Sequence, residues 1–113
     1  MQDLEEIKER YLKEPFNRRL GHLASDLARI SGFLDNPDNI KTVDDILEES
    51  KFFIEWTAPS ASYKLQAFLS EIQPKLALYQ IRLFRNKGVQ SGADELKKMA
   101  KTWSMKLIEM LLF

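Results

Sequence analysis

Apolar residues recur at steps of three and four along most of the chain, which is the spacing of a helix with one buried face. The clearest series predicts a helix from Phe16 to the turn sequence DNPDN at residues 35–39. There is no sustained alternation of apolar and polar residues, so strands are not predicted. The buried stripe of this helix consists of Leu20, Leu23, Leu27, Ile30 and Leu34.

Two shorter patterns flank the turn. A first helix is predicted over residues 3–13, from a capping-box-like start at Asp3 to a break or kink at Pro15. Another begins near Thr42, whose hydroxyl we expect to cap free amides, and ends at TAPS, residues 57–60. On this third helix the predicted core face consists of Val43, Ile46, Leu47, Ser50, Phe53 and Ile54.

The C-terminal half predicts two further helices. A long one covers residues 61–86, with a bend at Pro74 and an end at Gly88 in NKGVQSG. The last helix opens at Ser91. Their predicted stripes are Ala61, Leu65, Phe68, Ile72, Leu76, Tyr79 and Leu83, and then Leu96, Met99, Ala100, Trp103, Leu107 and Leu111.

Short loops between helices of similar length favour antiparallel neighbours. We therefore predict an all-α fold, an up-and-down antiparallel four-helix bundle with an additional short N-terminal helix. At 113 residues, with 44% hydrophobic and 30% charged residues, the chain has the composition of an ordinary globular protein. It is predicted to form a single domain over residues 1–113.

Three helices carry more apolar residues than one buried stripe requires. In ESKFFIEWTAP, residues 49–59, Phe52 and Trp56 fall on the side of the helix opposite its core face and lie among acids. A contact surface is therefore predicted. Its candidate residues are Phe52, Trp56, Leu78, Ile81, Phe84, Met105, Ile108 and Leu112.

Two explanations of this surplus stay open. The first helix, through Leu4, Ile7 and Tyr11, can lie across some of these residues and bury them. Alternatively, part of the surplus forms an intermolecular interface, most simply that of a homodimer. The second helix also carries a ridge of small residues, which permits close helix packing. Packing inside the bundle is favoured for this ridge over a dimer contact. The ridge consists of Gly21, Ser25, Ala28 and Gly32.

Charge is balanced overall, with 17 basic and 17 acidic residues, but it is unevenly distributed. Residues 35–55 are acidic and residues 75–109 are basic, and pairing within the fold is favoured over pairing between molecules. The basic half also suggests an alternative function in RNA binding or processing, although nucleic acid is not the preferred partner. The basic residues concerned are Arg82, Arg85, Lys87, Lys97, Lys98, Lys101 and Lys106.

Catalytic chemistry finds little support in the sequence. There is no cysteine, and the single histidine, His22, is spaced four residues from Arg18 and from Asp26, as in a solvated charge ladder. The acids Asp44, Asp45, Glu48 and Glu49 fit a helix N-terminus better than a metal site. We predict no enzyme activity and no cofactor or metal. A ligand site inside the bundle near Tyr79 and Trp103 would require a cavity.

The segments RRLGHLASDLARISGFL, residues 18–34, and EESKFFIEWTAP, residues 48–59, resemble a group of short uncharacterised helical proteins from cyanobacteria. The resemblance implies a bacterial cytosolic setting and no catalytic activity. The acidic start MQDLEEIKER lacks the pattern of a signal peptide, and no apolar run is long enough to cross a membrane. The expected function is a cytoplasmic, non-enzymatic interaction module that forms a homodimer or binds another protein.

Overall fold

A computed structural model of the chain describes residues 3–85 and 92–112, and within these residues it contains helices and no strands. Five α-helices pack together, which confirms the predicted all-α fold. Short 3₁₀ turns precede and follow the third helix, and a π-helical turn, Ile81–Arg85, extends the fourth. The α-helices are α1 (Leu4–Lys13), α2 (Phe16–Phe33), α3 (Ile40–Thr57), α4 (Tyr63–Gln80) and α5 (Ala93–Leu112).

Side chains cap two of the helices. The Asp3 carboxylate accepts a hydrogen bond from the Glu5 amide at 3.2 Å at the start of α1. The Ser62 hydroxyl accepts one from the Leu65 amide at 3.3 Å at the start of α4. These oxygens satisfy amides that have no partner within the helix.

The predicted cap of the third helix is wrong. Helix α3 begins at Ile40, two residues before Thr42, because it continues directly from the 3₁₀ turn Pro37–Asn39. That turn is capped instead by Asn36, whose side chain accepts from the Asp38 amide at 3.0 Å. The predicted helix end at Gly88 and helix start at Ser91 lie outside the described residues.

Helix α2 packs against both α3 and α5, α4 packs against α3 and α5, and α1 lies against α3. The predicted stripes form the core, although Leu34, Ala61, Met99 and Leu111 are only partly buried at its edge. The residues with essentially no exposed surface include Leu23, Leu27, Ile30, Leu47, Ile72, Leu76, Leu96 and Leu107. Periodicity therefore identified most of the interior, although the buried Ala24 and Leu69 were not among the predicted stripes.

Two polar contacts fix α5 against α2. The Ser104 hydroxyl donates to the Ala24 carbonyl at 2.7 Å, and Lys97 forms an ion pair with Asp35. Because Lys97 precedes Ser104 while Asp35 follows Ala24, the two helices run antiparallel. The Lys97–Asp35 pair also joins the basic and acidic segments of the sequence within the fold.

The expected close packing of the small-residue ridge within the bundle is wrong. A Cβ atom placed on Gly21 or on Gly32 would meet no atom within 4 Å, so neither glycine permits a close helix contact inside the molecule. Ser25 and Ala28 are exposed as well. The ridge therefore lies at the surface of α2. No described helix has both the length and the apolar character needed to cross a membrane.

Candidate functional site

Helix α1 covers part of the aromatic cluster on α3. The Tyr11 ring stacks on Phe53 with centroids 4.1 Å apart and meets Trp56 at 5.8 Å. The Tyr11 hydroxyl donates to the Arg19 carbonyl at 3.0 Å and shares a 2.6 Å hydrogen bond with the Thr57 hydroxyl. One residue of α1 thus joins α2 and α3, and it shields one side of Trp56.

Phe52 lies farther from this cover. Its ring stacks on Trp56 at 5.5 Å, and both side chains remain half-buried. Phe52 also lines a shallow groove of about 400 Å³ between α3 and α4, together with Lys51 and Pro74. Cover by α1 therefore explains part of the burial of Trp56. It does not explain Phe52, which faces a groove.

A larger apolar surface lies on α5. Met105, Ile108 and Leu112 are 55%, 46% and 71% exposed, and their spacing of three and four places them on one side of the helix. Ile108 is one turn beyond Ser104, the residue that contacts α2. The exposed stripe therefore runs along the α2 side of α5.

The small-residue ridge occupies the matching side of α2. Gly21 and Ala28 lie about one turn before and after Ala24, which accepts the hydrogen bond from Ser104. Since the helices are antiparallel, the Ile108 end of α5 runs alongside the Gly21 end of α2. We call this combined surface the outer face. It consists of Gly21, Ser25, Ala28 and Gly32 of α2 and of Lys101, Met105, Ile108 and Leu112 of α5.

The other candidate contact residues lie elsewhere. Leu78 and Ile81 are each 43% exposed at the end of α4 and in the π-helical turn. Phe84 is half-buried and packs against the core. Of the candidate contact residues, only Met105, Ile108 and Leu112 lie on the outer face. A role in association stays a prediction for all eight candidates.

A carboxyl pair between α2 and α3 was not anticipated from the sequence. Asp26 is only 5% exposed and interacts with Glu49 through its side chain. One Asp26 oxygen, Oδ1, lies 3.4 Å from the Arg29 guanidinium. The other, Oδ2, is buried and has no hydrogen-bond partner. A proton held between the two groups provides that partner.

Burial is the main reason that the pKa of Asp26 is raised to about 8. The charge of Glu49 and the hydrogen bond to it raise this pKa further, whereas Arg29 lowers it. At neutral pH, Asp26 is therefore largely protonated and donates a hydrogen bond to Glu49. Burial also raises the pKa of Tyr11 to about 12, so its hydroxyl stays protonated.

The carboxyl pair borders a polar cleft of about 440 Å³ between α1, α2 and α3. Both charge signs line it, through Arg10 and Glu14 of α1 and Arg29 of α2, and His22 also borders it. The predicted solvated ladder of Arg18, His22 and Asp26 is wrong, because Asp26 is buried. Arg18 contacts Glu14 instead, at 3.5 Å.

A signal for the burial of Asp26 was present in the sequence. Asp26 lies three residues after Leu23 and four before Ile30, so it falls on the edge of the stripe that forms the core. No sequence pattern indicated Glu49 as the partner of Asp26, because their contact joins two different helices.

Several basic residues of the C-terminal half make contacts within the fold. Lys97 pairs with Asp35, the Lys106 ammonium lies 5.0 Å from the centre of the Phe68 ring, and Arg82 lies 5.9 Å from that of Tyr79. Lys87 lies outside the described residues. RNA binding by this half stays a prediction. The contacts above already occupy some of its basic side chains.

The predicted place of the acids at the N-terminus of the third helix is wrong, because α3 begins at Ile40 and has no acid in its first turn. Two of them instead take part in an internal hydrogen-bond network. The buried Gln80 amide of α4 donates to the Asp44 carboxylate at 2.9 Å and to the Glu48 carboxylate at 3.0 Å. Within residues 3–85 and 92–112, no group of three or more histidine or acidic side chains is arranged to hold a metal ion.

Comparison with known proteins gives no match, since no family model, curated protein or solved structure is similar to this chain. The resemblance to the cyanobacterial group therefore stays a prediction. The exposed surfaces and clefts described above are therefore the basis for a proposed function.

Proposed function

We propose that this protein is a non-enzymatic interaction module that binds a second copy of itself through the outer face. In this proposal the four longer helices form an up-and-down antiparallel bundle, α1 covers one flank of it, and the protein acts in the cytosol. The observation that carries the proposal is the exposed stripe of Met105, Ile108 and Leu112 beside a glycine ridge. Adjacent exposed apolar side chains favour a partner, whereas isolated ones do not.

The shape of the outer face suits a helical partner. Glycine inside a helix costs about 1 kcal/mol relative to alanine, and Gly21 gains no internal contact that offsets this cost. A second molecule can approach the helix axis closely where side chains are small. In a two-fold dimer with paired α5 helices, the ridge would lie against the ridge of the second copy.

Charge complementarity favours a second copy as the occupant. Met105 lies four residues after Lys101 and four before Glu109, and neither forms an ion pair within the described residues. When two α5 helices pack antiparallel with Met105 on the two-fold axis, Lys101 of each copy lies opposite Glu109 of the other. Such a self-complementary arrangement is what a two-fold dimer requires.

The available area is sufficient for a modest dimer. A helix of 20 residues is about 30 Å long, and two adjacent helices present a strip about 20 Å wide. Complete coverage would bury about 600 Å² per copy, or about 1,200 Å² in total, which is the lower limit for a specific interface. We therefore expect a dimer with a dissociation constant in the micromolar range rather than an obligate one.

Light scattering on a sizing column tests the proposal by measuring absolute mass. The wild-type chain should be a dimer at micromolar concentrations, and Met105→Glu with Ile108→Glu should give a folded monomer, because each substitution places a charge at the interface centre. Leu78→Glu with Ile81→Glu is the matched control and should stay dimeric. Far-ultraviolet circular dichroism confirms that both variants are folded.

Two results would contradict this assignment. A wild-type monomer throughout the concentration range would show that the outer face does not bind a second copy. A dimer that survives the α5 substitutions but is lost in the control, or in Phe52→Ser with Trp56→Ser, would move the interface to α4 or to α3.

A further inference from the structure

A second kind of site is present at one end of the helices. A cleft of about 490 Å³ lies between the start of α2, the start of α4 and the end of α5. Leu20 and Leu65 form its floor and are almost completely buried, while Phe16, Met110 and Leu111 line its walls and are half-buried. Its volume falls within the usual range for small-molecule sites, and these five side chains provide an apolar interior.

The rim of this cleft carries more positive than negative charge. Lys64 and Lys106 contribute two ammonium groups against the single carboxylate of Glu109. The Lys106 ammonium also lies 5.0 Å from the centre of the Phe68 ring, a contact that holds it beside α4. Neither lysine forms an ion pair within the described part of the chain. Both can therefore interact with an anion.

We propose that this end cleft binds an amphiphilic anion, namely an alkyl chain of medium length that ends in a carboxylate. The chain would lie against Phe16, Leu20 and Leu65, where burial of its apolar surface stabilises the complex. The carboxylate would lie at the rim and accept charge-assisted hydrogen bonds from Lys64 and Lys106. None of the outer-face residues lines the cleft, and Glu109, which the proposed dimer places opposite Lys101, is shared by the two proposals.

The ligand class follows from the combination of floor and rim. A compact, fully polar anion would leave the apolar floor in contact with water. An alkyl cation would place its charge beside two ammonium groups. Only a molecule with both an apolar chain and a negative end matches the two parts of the cleft.

Titration calorimetry with the full chain and decanoate tests the proposal, at ligand concentrations below micelle formation. Decyltrimethylammonium has the same alkyl chain with a positive end and serves as the control ligand. We expect decanoate to bind at least about tenfold more tightly, a difference of about 1.4 kcal/mol. In methyl NMR spectra, decanoate should shift the signals of Leu20, Leu65, Met110 and Leu111 rather than those of Ile108.

Charge reversal at the rim provides the second test. Lys64→Glu and Lys106→Glu should each weaken decanoate binding about tenfold while the helicity stays unchanged. Lys98→Glu, at an exposed position of α5 outside the cleft, should bind like the wild type. The proposal is overturned by an absence of heat and of shifts with decanoate, by equal affinity for the two amphiphiles, or by rim variants that bind decanoate like the wild type.

Discussion

The two sides of α2 reverse the usual distribution of polar and apolar groups. On the side toward α1 and α3, the carboxyl group of Asp26 is buried beside Glu49. On the side next to α5, the exposed Ala28 and the half-buried Gly21 lie beside the stripe that contains Met105 and Ile108. Asp26 of α2 is inside, whereas the large apolar side chains of the neighbouring α5 are outside, although each belongs to an amphipathic helix.

Helix α1 explains the difference. It borders the polar cleft through Arg10, Tyr11 and Glu14, and it encloses a region that four helices alone would leave open. On the outer face, no described element occupies the corresponding position. A short added helix thus turns a surface into an interior, and the side without such a cover is the candidate interface.

The largest expected effect comes from weakening the cover. Tyr11→Ala removes the ring that stacks on Phe53 at 4.1 Å and the hydroxyl that contacts Thr57. The free energy of unfolding should fall by about 3 kcal/mol or more, as measured by urea denaturation. Leu12→Ala, at an exposed position of α1, should cost about 0.5 kcal/mol. A loss below about 1 kcal/mol for Tyr11→Ala would mean that α1 is not an integral cover.

The pH dependence of stability tests the buried side directly. The pKa of Asp26 is about 8 in the folded protein and about 3.9 in an unfolded chain. Between these values the folded state binds more protons, so the unfolding free energy should decrease as the pH rises, by at most about 1.4 kcal/mol per pH unit. The stability due to this proton is complete below pH 4 and is lost as the pH passes 8.

Asp26→Asn should remove this dependence, because the amide can donate to Glu49 without a titrating proton. At pH 9 the variant should be more stable than the wild type by about 2 kcal/mol, since it avoids a buried charge whose Oδ2 has no hydrogen-bond partner. The control is Asp45→Asn, at an exposed acid of α3, which should leave the pH profile unchanged. Parallel profiles for Asp26→Asn and the wild type would rule out the protonated pair.

The contact that joins α5 to α2 should have a smaller effect. Ser104→Ala removes the 2.7 Å hydrogen bond to the Ala24 carbonyl, which already serves the backbone of α2. Urea denaturation should show a loss of about 1 kcal/mol. Thr102→Ala, which removes an exposed hydroxyl bonded within α5, is the control and should have less effect. Equal losses would show that Ser104 does not fix the helix pair.

The smallest expected effect comes from substitutions at Gly21, which test monomer stability and dimer formation separately. Gly21→Ala should raise monomer stability by about 0.5 to 1 kcal/mol, because the added Cβ meets no atom within 4 Å and alanine favours the helix. The larger Gly21→Gln should be tolerated by the monomer and should weaken the dimer in light scattering. If Gly21→Gln leaves the dimer mass unchanged, the ridge is not part of the contact.

Apolar periodicity predicts the helices and nearly all of the core before any contact between helices is considered. The three-and-four spacing of apolar residues such as Leu23, Leu27 and Ile30 depends only on helix geometry, so it identified the buried faces before any packing was known. The start of α3 was misplaced, because a 3₁₀ turn continuous with the helix has no distinct sequence signal at Ile40. The exposed stripe on α5 was also predicted, since it is local to one helix.

The packing of the helices determines which surplus residues are covered and which remain at the surface. The burial of Asp26, its contact with Glu49 and the shielding of Trp56 by Tyr11 all join residues that are far apart in the chain. The open side of Gly21 likewise depends on where α5 lies against α2. Periodicity describes one helix at a time, whereas each of these features is a relation between helices.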